Sequence, residues 1–196
     1  MKTDHFLYKY YKRGMNPFKS ISVLSDDEIV IFMKQHFPKH SWFHANPKKR
    51  IAQRRKIDQW LYEGFVLSGG APATKYPCYF TLGKSAFLRN FESFEGQSAE
   101  IEIPLSIFSC KNVSFTYPDS FFSEWLSRNR QHELYSKELS GKIFLLDEII
   151  KLLQQDKIPM FAYMDTWNYK YEFYIEAQVW DYDVLDNYCK INDTSD

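Results

Sequence analysis

Apolar and polar residues alternate most sharply over residues 171–180. Phe173, Ile175, Ala177 and Val179 fall on one face of a period-two strand, and Glu172, Tyr174, Glu176, Gln178 and Trp180 fall on the other. The first face belongs against a core, and the second offers carboxylates, an amide, a phenol and an indole in a row. A second alternation covers residues 100–107, with Ile101, Ile103, Leu105 and Ile107 inward and Glu100, Glu102 and Ser106 outward. Pro104 has no amide hydrogen to donate, which predicts a sheet edge or a break there. Shorter β-prone runs occupy residues 5–11, 77–83, 113–117 and 141–146. Residues 160–164 should pair with 171–180 as a hairpin around Asp165-Thr166-Trp167-Asn168.

Helical periodicity fills the intervals. Ser25 and Glu28 form a capping box, Leu24 can staple onto Ile29, and Ile29, Phe32, Met33 and His36 recur on one face before Pro38 stops the helix. Asn46-Pro47 opens a second helix with Ile57, Trp60 and Leu61 as its buried stripe, and Gly64 is expected to end it. Residues 85–94 predict a short helix or turn. Pro118-Asp119 leads into a helix through Phe121, Phe122, Trp125 and Leu126. Asp147 is expected to cap a helix with Ile149, Ile150, Leu152 and Leu153 inward, ended by Pro159. The polar stretch 128–140 reads as an exposed connection. Strands and helices interleave without a strict βαβ period, so the prediction is a single α+β domain over residues 1–196, with a mixed or antiparallel sheet and helices packed around it.

Composition adds partners to this frame. At 196 residues and 44% apolar content the chain can bury a sizeable core. Its 17 Phe, 14 Tyr and 5 Trp mostly signal large core side chains, while the flat faces and polar edges of Tyr and Trp also suit interfaces and nucleotide stacking. A formal charge of zero argues against global steering of a polyanion. Locally, Lys48, Lys49, Arg50, Arg54, Arg55 and Lys56 form a basic run without an acid, and the acidic residues gather after Asp181. Cys78, Cys110 and Cys189 are too scattered for a disulfide framework or a thiolate zinc site. With no apolar leader core and no membrane-length run, the expectation is a soluble, cytoplasmic protein without a membrane partner.

Several chemistries are unsupported. His36, His40 and His44 have helical ligand spacing, but Pro38 interrupts it, so no metal is expected. Neither a Gly-x-Ser-x-Gly elbow nor a glycine-rich phosphate loop is present. The basic helix could receive a nucleic-acid backbone or an acidic protein through Arg54 and Arg55, against the plainer reading of a solvated face. On one continuous strand Glu172 and Glu176 would lie about 13 Å apart, beyond the roughly 5–9.5 Å of cooperating carboxylate pairs. A single glutamate, Glu176, working with Gln178 and aromatic walls is the better candidate, with a solvent-facing strand edge as its alternative.

These residues together resemble the ADP-ribosyltransferases, nearest the DarT-type branch that modifies DNA. His5-Phe6 matches two positions of that family's N-terminal aromatic-His-Phe-Thr motif, with Leu7 replacing the threonine. Tyr79-Phe80 sits in a comparable mid-chain strand, and residues 100–119 follow the same order of features. Ile175-Glu176-Ala177-Gln178-Val179 is similar to the late-strand glutamate motif. The resemblance implies a split sheet with NAD bound as substrate across the cleft and Glu176 as the catalytic residue. It further implies NAD contacts at His5, Tyr79 and Gln178 and an acceptor, nucleic acid or protein, near Arg54 and Arg55. It assigns no residue to the family's catalytic arginine. A non-catalytic nucleic-acid or anionic-partner binding domain and a protein-interaction module stand as alternatives.

Overall fold

A computed structural model of the chain describes residues 5–39, 44–91, 94–158, 162–166 and 169–193, with the backbone alone over 162–166, 169–172 and 191–193. Strands β1 (Phe6–Lys12), β2 (Cys78–Leu82), β3 (Ser98–Pro104), β4 (Val113–Thr116), β5 (Phe144–Leu145) and β8 (Glu176–Val179) build one six-stranded sheet in the order β3-β1-β2-β8-β4-β5. Every pairing in it is antiparallel. Strands β6 (Ala162–Thr166) and β7 (Tyr169–Phe173) form a separate hairpin. The helices are α1 (Asp26–His36), α2 (Pro47–Leu67), α3 (Ala86–Arg89), α4 (Ser120–Arg128), α5 (Leu146–Gln154) and α6 (Tyr182–Asp193). The fold is α+β.

The predicted strand over 171–180 is two strands in two sheets. β7 ends at Phe173, and β8 starts at Glu176 between β2 and β4. The chain changes sheets at Tyr174-Ile175, where the Ile175 carbonyl already accepts from Leu82 N–H. Glu172 and Glu176 therefore do not share a strand face. As an inner strand, β8 is buried on both faces. Ala177 and Val179 join the main core with Leu7, Phe80, Val113 and Phe115. On the other side Trp180 packs with Ile57, Leu61 and Phe65 of α2.

Pro104 ends β3, which is an edge strand as the missing amide requires. Leu105–Ile107 continue as a 3₁₀ turn rather than as strand. The α1 capping box forms as read. α2 begins at Pro47 but runs past Gly64 to Leu67. Gly64 is an interior helix residue whose role is close approach, because a Cβ there would lie 2.1 Å from Ile143 Cδ1. At α5, Asp147 is the second helical residue, and Glu148 reaches back to Leu145 N–H at 2.8 Å. α6 was not legible in the acidic composition of its segment. It docks through Leu185, with Tyr182, Val184 and Tyr188 against the main core.

One irregularity positions everything that follows. β1 pairs with β3 along its whole length but with β2 at only two positions, Leu7↔Leu82 and Tyr8↔Thr81. Beyond Tyr8 the two strands part, and the Lys9 ammonium bridges the gap by donating to the Tyr79 carbonyl at 2.9 Å. This is a local split between two neighbouring strands of one sheet, not a division of the sheet in two. Among the described residues no helix is long and apolar enough to cross a membrane.

Candidate functional site

Next to the split lies a buried polar cluster in which α2, β2, β4, β8 and α4 each contribute. Glu176 opens β8 opposite Thr81 on one side and Thr116 on the other, and only 6% of its surface is exposed. Its Oε1 accepts from Gln178 Nε2 at 3.1 Å and from Ser120 N–H at 3.3 Å. Ser120 is the first residue of α4, so the carboxylate meets the positive end of that helix. The α4 cap is Asp119, which accepts from the Phe121 and Phe122 amides at 3.1 and 3.3 Å. Gln178 is itself held. Its Oε1 accepts from Ser114 Oγ at 2.9 Å, and the Ser114 oxygen accepts from Trp180 Nε1 at 2.9 Å. Gln178 Nε2 also donates to Thr116 Oγ1 at 3.1 Å. With both ends engaged, the Gln178 amide has one orientation and fixes that of Glu176.

The cation of the cluster is Arg54. Its Nε donates to Asp58 Oδ1 at 2.8 Å and its terminal nitrogen to Ser120 Oγ at 3.0 Å. The guanidinium lies over the rings of Tyr79 at 3.9 Å and Phe121 at 4.7 Å. Asp58 is fully buried and accepts three bonds, from Arg54, from Ser22 Oγ at 2.5 Å and from the Tyr79 hydroxyl. Burying these charges is tolerable because each is paired and hydrogen-bonded.

Burial and neighbours set the protonation tendencies. Desolvation pushes Glu176 above the ordinary carboxylate range; Arg54 opposes the rise and Asp119 adds to it. Desolvation works against the Arg54 charge, but Tyr79, Asp58 and Glu176 outweigh it and hold the guanidinium firmly protonated. Burial likewise lifts Tyr79 well above the usual phenol range, against the pull of Arg54, so it acts as a neutral donor. The cluster is therefore a reluctant carboxylate beside a permanent cation.

Two cavities open where β1 and β2 part. The first, about 150 Å³, is lined by Tyr8, Tyr79, Thr81, Tyr174 and Glu176 among others. The second, about 250 Å³, reaches Arg54. Both are bounded by Lys9, Tyr10, Tyr79 and Phe94. Tyr79 thus lines both the cavity that holds the carboxylate and the one that reaches the cation.

Of the residues singled out from sequence, the fold brings Glu176, Gln178, Tyr79 and Arg54 together. His5 lies elsewhere: it precedes β1, its carbonyl accepts from Leu105 N–H at 2.8 Å, and it lines neither cavity. The basic helix does not present Arg54 and Arg55 as two free cations. Arg54 points inward, and Arg55 is tied to Asp26 at 2.8 Å and to the carbonyls of Ser22 and Leu24. Lys48 pairs with Asp27. Sequence reading missed Asp58, Ser22, Ser114, Thr116 and Ser120. The signal for Asp58 was its position beside Ile57 in the buried stripe, one turn after Arg54. Among the described residues no three His, Cys, Asp or Glu side chains gather as a metal site, and His40 lies outside the described residues. No family model, curated protein or solved structure matches the chain.

Proposed function

We propose that the protein is an NAD-consuming enzyme of the ADP-ribosyltransferase type, transferring ADP-ribose to a nucleic-acid or protein acceptor. The observation that carries this reading is Glu176 itself: a buried carboxylate of fixed orientation, lining an aromatic cleft at the split of the sheet. Its place on a late strand is the one at which the resemblance puts a glutamate.

In this reaction the bond from ribose C1′ to the nicotinamide nitrogen breaks, its electron pair leaves with nicotinamide, and the ribose gains oxocarbenium character. Glu176 accepts a hydrogen bond from the ribose 2′-hydroxyl and offsets the developing positive charge, an electrostatic role that a partly dry cleft strengthens. The acceptor nucleophile then forms the new bond at C1′ and gives up its proton to water. The Arg54 cation opposes the desolvation that favours the protonated form of Glu176. Gln178 is a positioning residue, acting through Glu176 rather than on the substrate. Each cavity is smaller than the roughly 300 Å³ of an ordinary ligand pocket. A dinucleotide would therefore occupy both, with its nicotinamide half at Glu176 and Tyr79 and its phosphates near Lys9. His5 has no part in this arrangement.

The test is nicotinamide release from NAD by wild type and Glu176→Gln, with and without single-stranded DNA, alongside the thermal shift produced by NAD. Release by the wild type that disappears in a folded Glu176→Gln protein supports the reading, and a DNA-dependent increase points to the acceptor. The absence of both release and thermal shift under every condition refutes it.

A further inference from the structure

A third cavity, about 450 Å³ and the largest of the three, shares Phe94 with the other two but is lined by neither Glu176 nor Arg54. Its walls include Arg13, Arg89, Phe91, Phe94, Ser98 and Glu100. Two features make it more than a surface dent. Among the described residues, the buried side-chain atoms without a hydrogen-bond partner are Ser98 Oγ and Glu100 Oε2, and both residues line this cavity. Such atoms cost stability unless something satisfies them. Secondly, the guanidinium groups of Arg13 and Arg89, both exposed, pair with no carboxylate among the described residues, although Glu100 lines the same cavity.

The wall groups ask for complementary chemistry. Two forked cations match a phosphate through parallel N–H donors. A carboxylate oxygen with an unused lone pair accepts from a hydroxyl, and a ribose diol supplies one beside a phosphate, as acidic residues use elsewhere to hold ribose. Phe91 and Phe94, with ring centres 5.5 Å apart in an edge-to-face arrangement, offer apolar surface to a base. The volume falls within the roughly 300–1,000 Å³ that ligand pockets span. We infer that this cavity binds a ribose phosphate, either as a free ribonucleotide or as one residue of single-stranded RNA. The phosphate lies between Arg13 and Arg89, and the 2′-hydroxyl donates to the Glu100 carboxylate. This inference is independent of the reaction proposed at Glu176.

Calorimetric titration of the full chain with AMP, 2′-deoxy-AMP, inorganic phosphate and a short unstructured RNA tests it, with thermal melts confirming that each variant is folded. AMP or RNA should bind, and removing the 2′-hydroxyl should weaken wild-type binding roughly tenfold, the loss of one hydrogen bond to a charged group. Glu100→Gln should narrow that preference, and the Arg13→Gln/Arg89→Gln pair should weaken the ribose and deoxyribose forms alike. RNA binding with little affinity for AMP identifies RNA as the source, and the reverse identifies the free ribonucleotide. Glu176→Gln should leave these affinities unchanged whether or not nicotinamide release is observed. The inference is overturned by no binding of either form at millimolar concentration, by phosphate binding as tightly as AMP, or by affinities indifferent to all three substitutions.

Discussion

Arg54 stacks its guanidinium on the Tyr79 ring while the Tyr79 hydroxyl donates to Asp58, the same carboxylate that accepts from Arg54 Nε. The pair is closed through a shared acceptor, so neither side chain can move without exposing the other's partner. This closure brings a cation from α2 under the sheet, and through Ser120 it joins the helix α4 that also holds Glu176.

Removing Asp58 should be costly. Asp58→Ala leaves Arg54 nearly buried beside an unsatisfied Tyr79 hydroxyl, and breaking a buried pair costs about 3–5 kcal/mol. Urea denaturation measures the loss. An Arg54→Met/Asp58→Leu double variant, with both charges replaced by apolar volume, should lose clearly less than Asp58→Ala alone.

Glu176 should make stability depend on pH in a particular sense. Its folded-state pKa is raised, so its contribution is fully present below the unfolded value and is lost as pH rises through the folded value. Gln mimics the protonated acid and keeps the bonds from Ser120 N–H and Gln178 at its own oxygen. Glu176→Gln should therefore match the wild type below about pH 4, near the free glutamate value, and become the more stable protein toward neutral pH. Thermal melts across that range check it; a Glu176→Gln protein less stable at neutral pH would contradict the desolvation argument.

Ser114 links Trp180 Nε1 to Gln178 Oε1 in a fully buried chain. Ser114→Ala strands one donor and one acceptor, and each unsatisfied group costs about 1–3 kcal/mol. It should also loosen the Gln178 amide. If Glu176 acts as proposed, this variant lowers the rate of nicotinamide release with little change in KM for NAD.

Gly64 offers a test of packing against propensity. Alanine in an open helix interior is favoured over glycine by about 1 kcal/mol, yet here its Cβ would meet Ile143. Gly64→Ala should destabilise by about 1–3 kcal/mol, the range for overpacking. Adding Ile143→Val removes the Cδ1 in question and should recover most of the loss.

Legibility in the sequence followed the range of the forces involved. The α1 capping box, the proline start of α2, the edge position of β3 and the α+β class depend on neighbours a few residues apart, and periodicity carried them. Glu176, Gln178 and Tyr79 were readable as chemistry in strands. What the sequence could not determine was which strands stand side by side. The period-two pattern over 171–180 continues unbroken through a change of sheet, because alternation records two faces and not the partner that covers each. Arg54 looked like part of a solvated basic run since its compensation comes from Asp58, Tyr79 and Ser120, the last 66 residues away. Only the tertiary structure could turn that cation inward, because a buried charge is stable only where distant chain segments deliver its partners together. By itself the sequence determined the elements, their faces and the stock of reactive groups. The pairing of β2 with β8, and the early parting of β2 from β1, decided which of those groups meet.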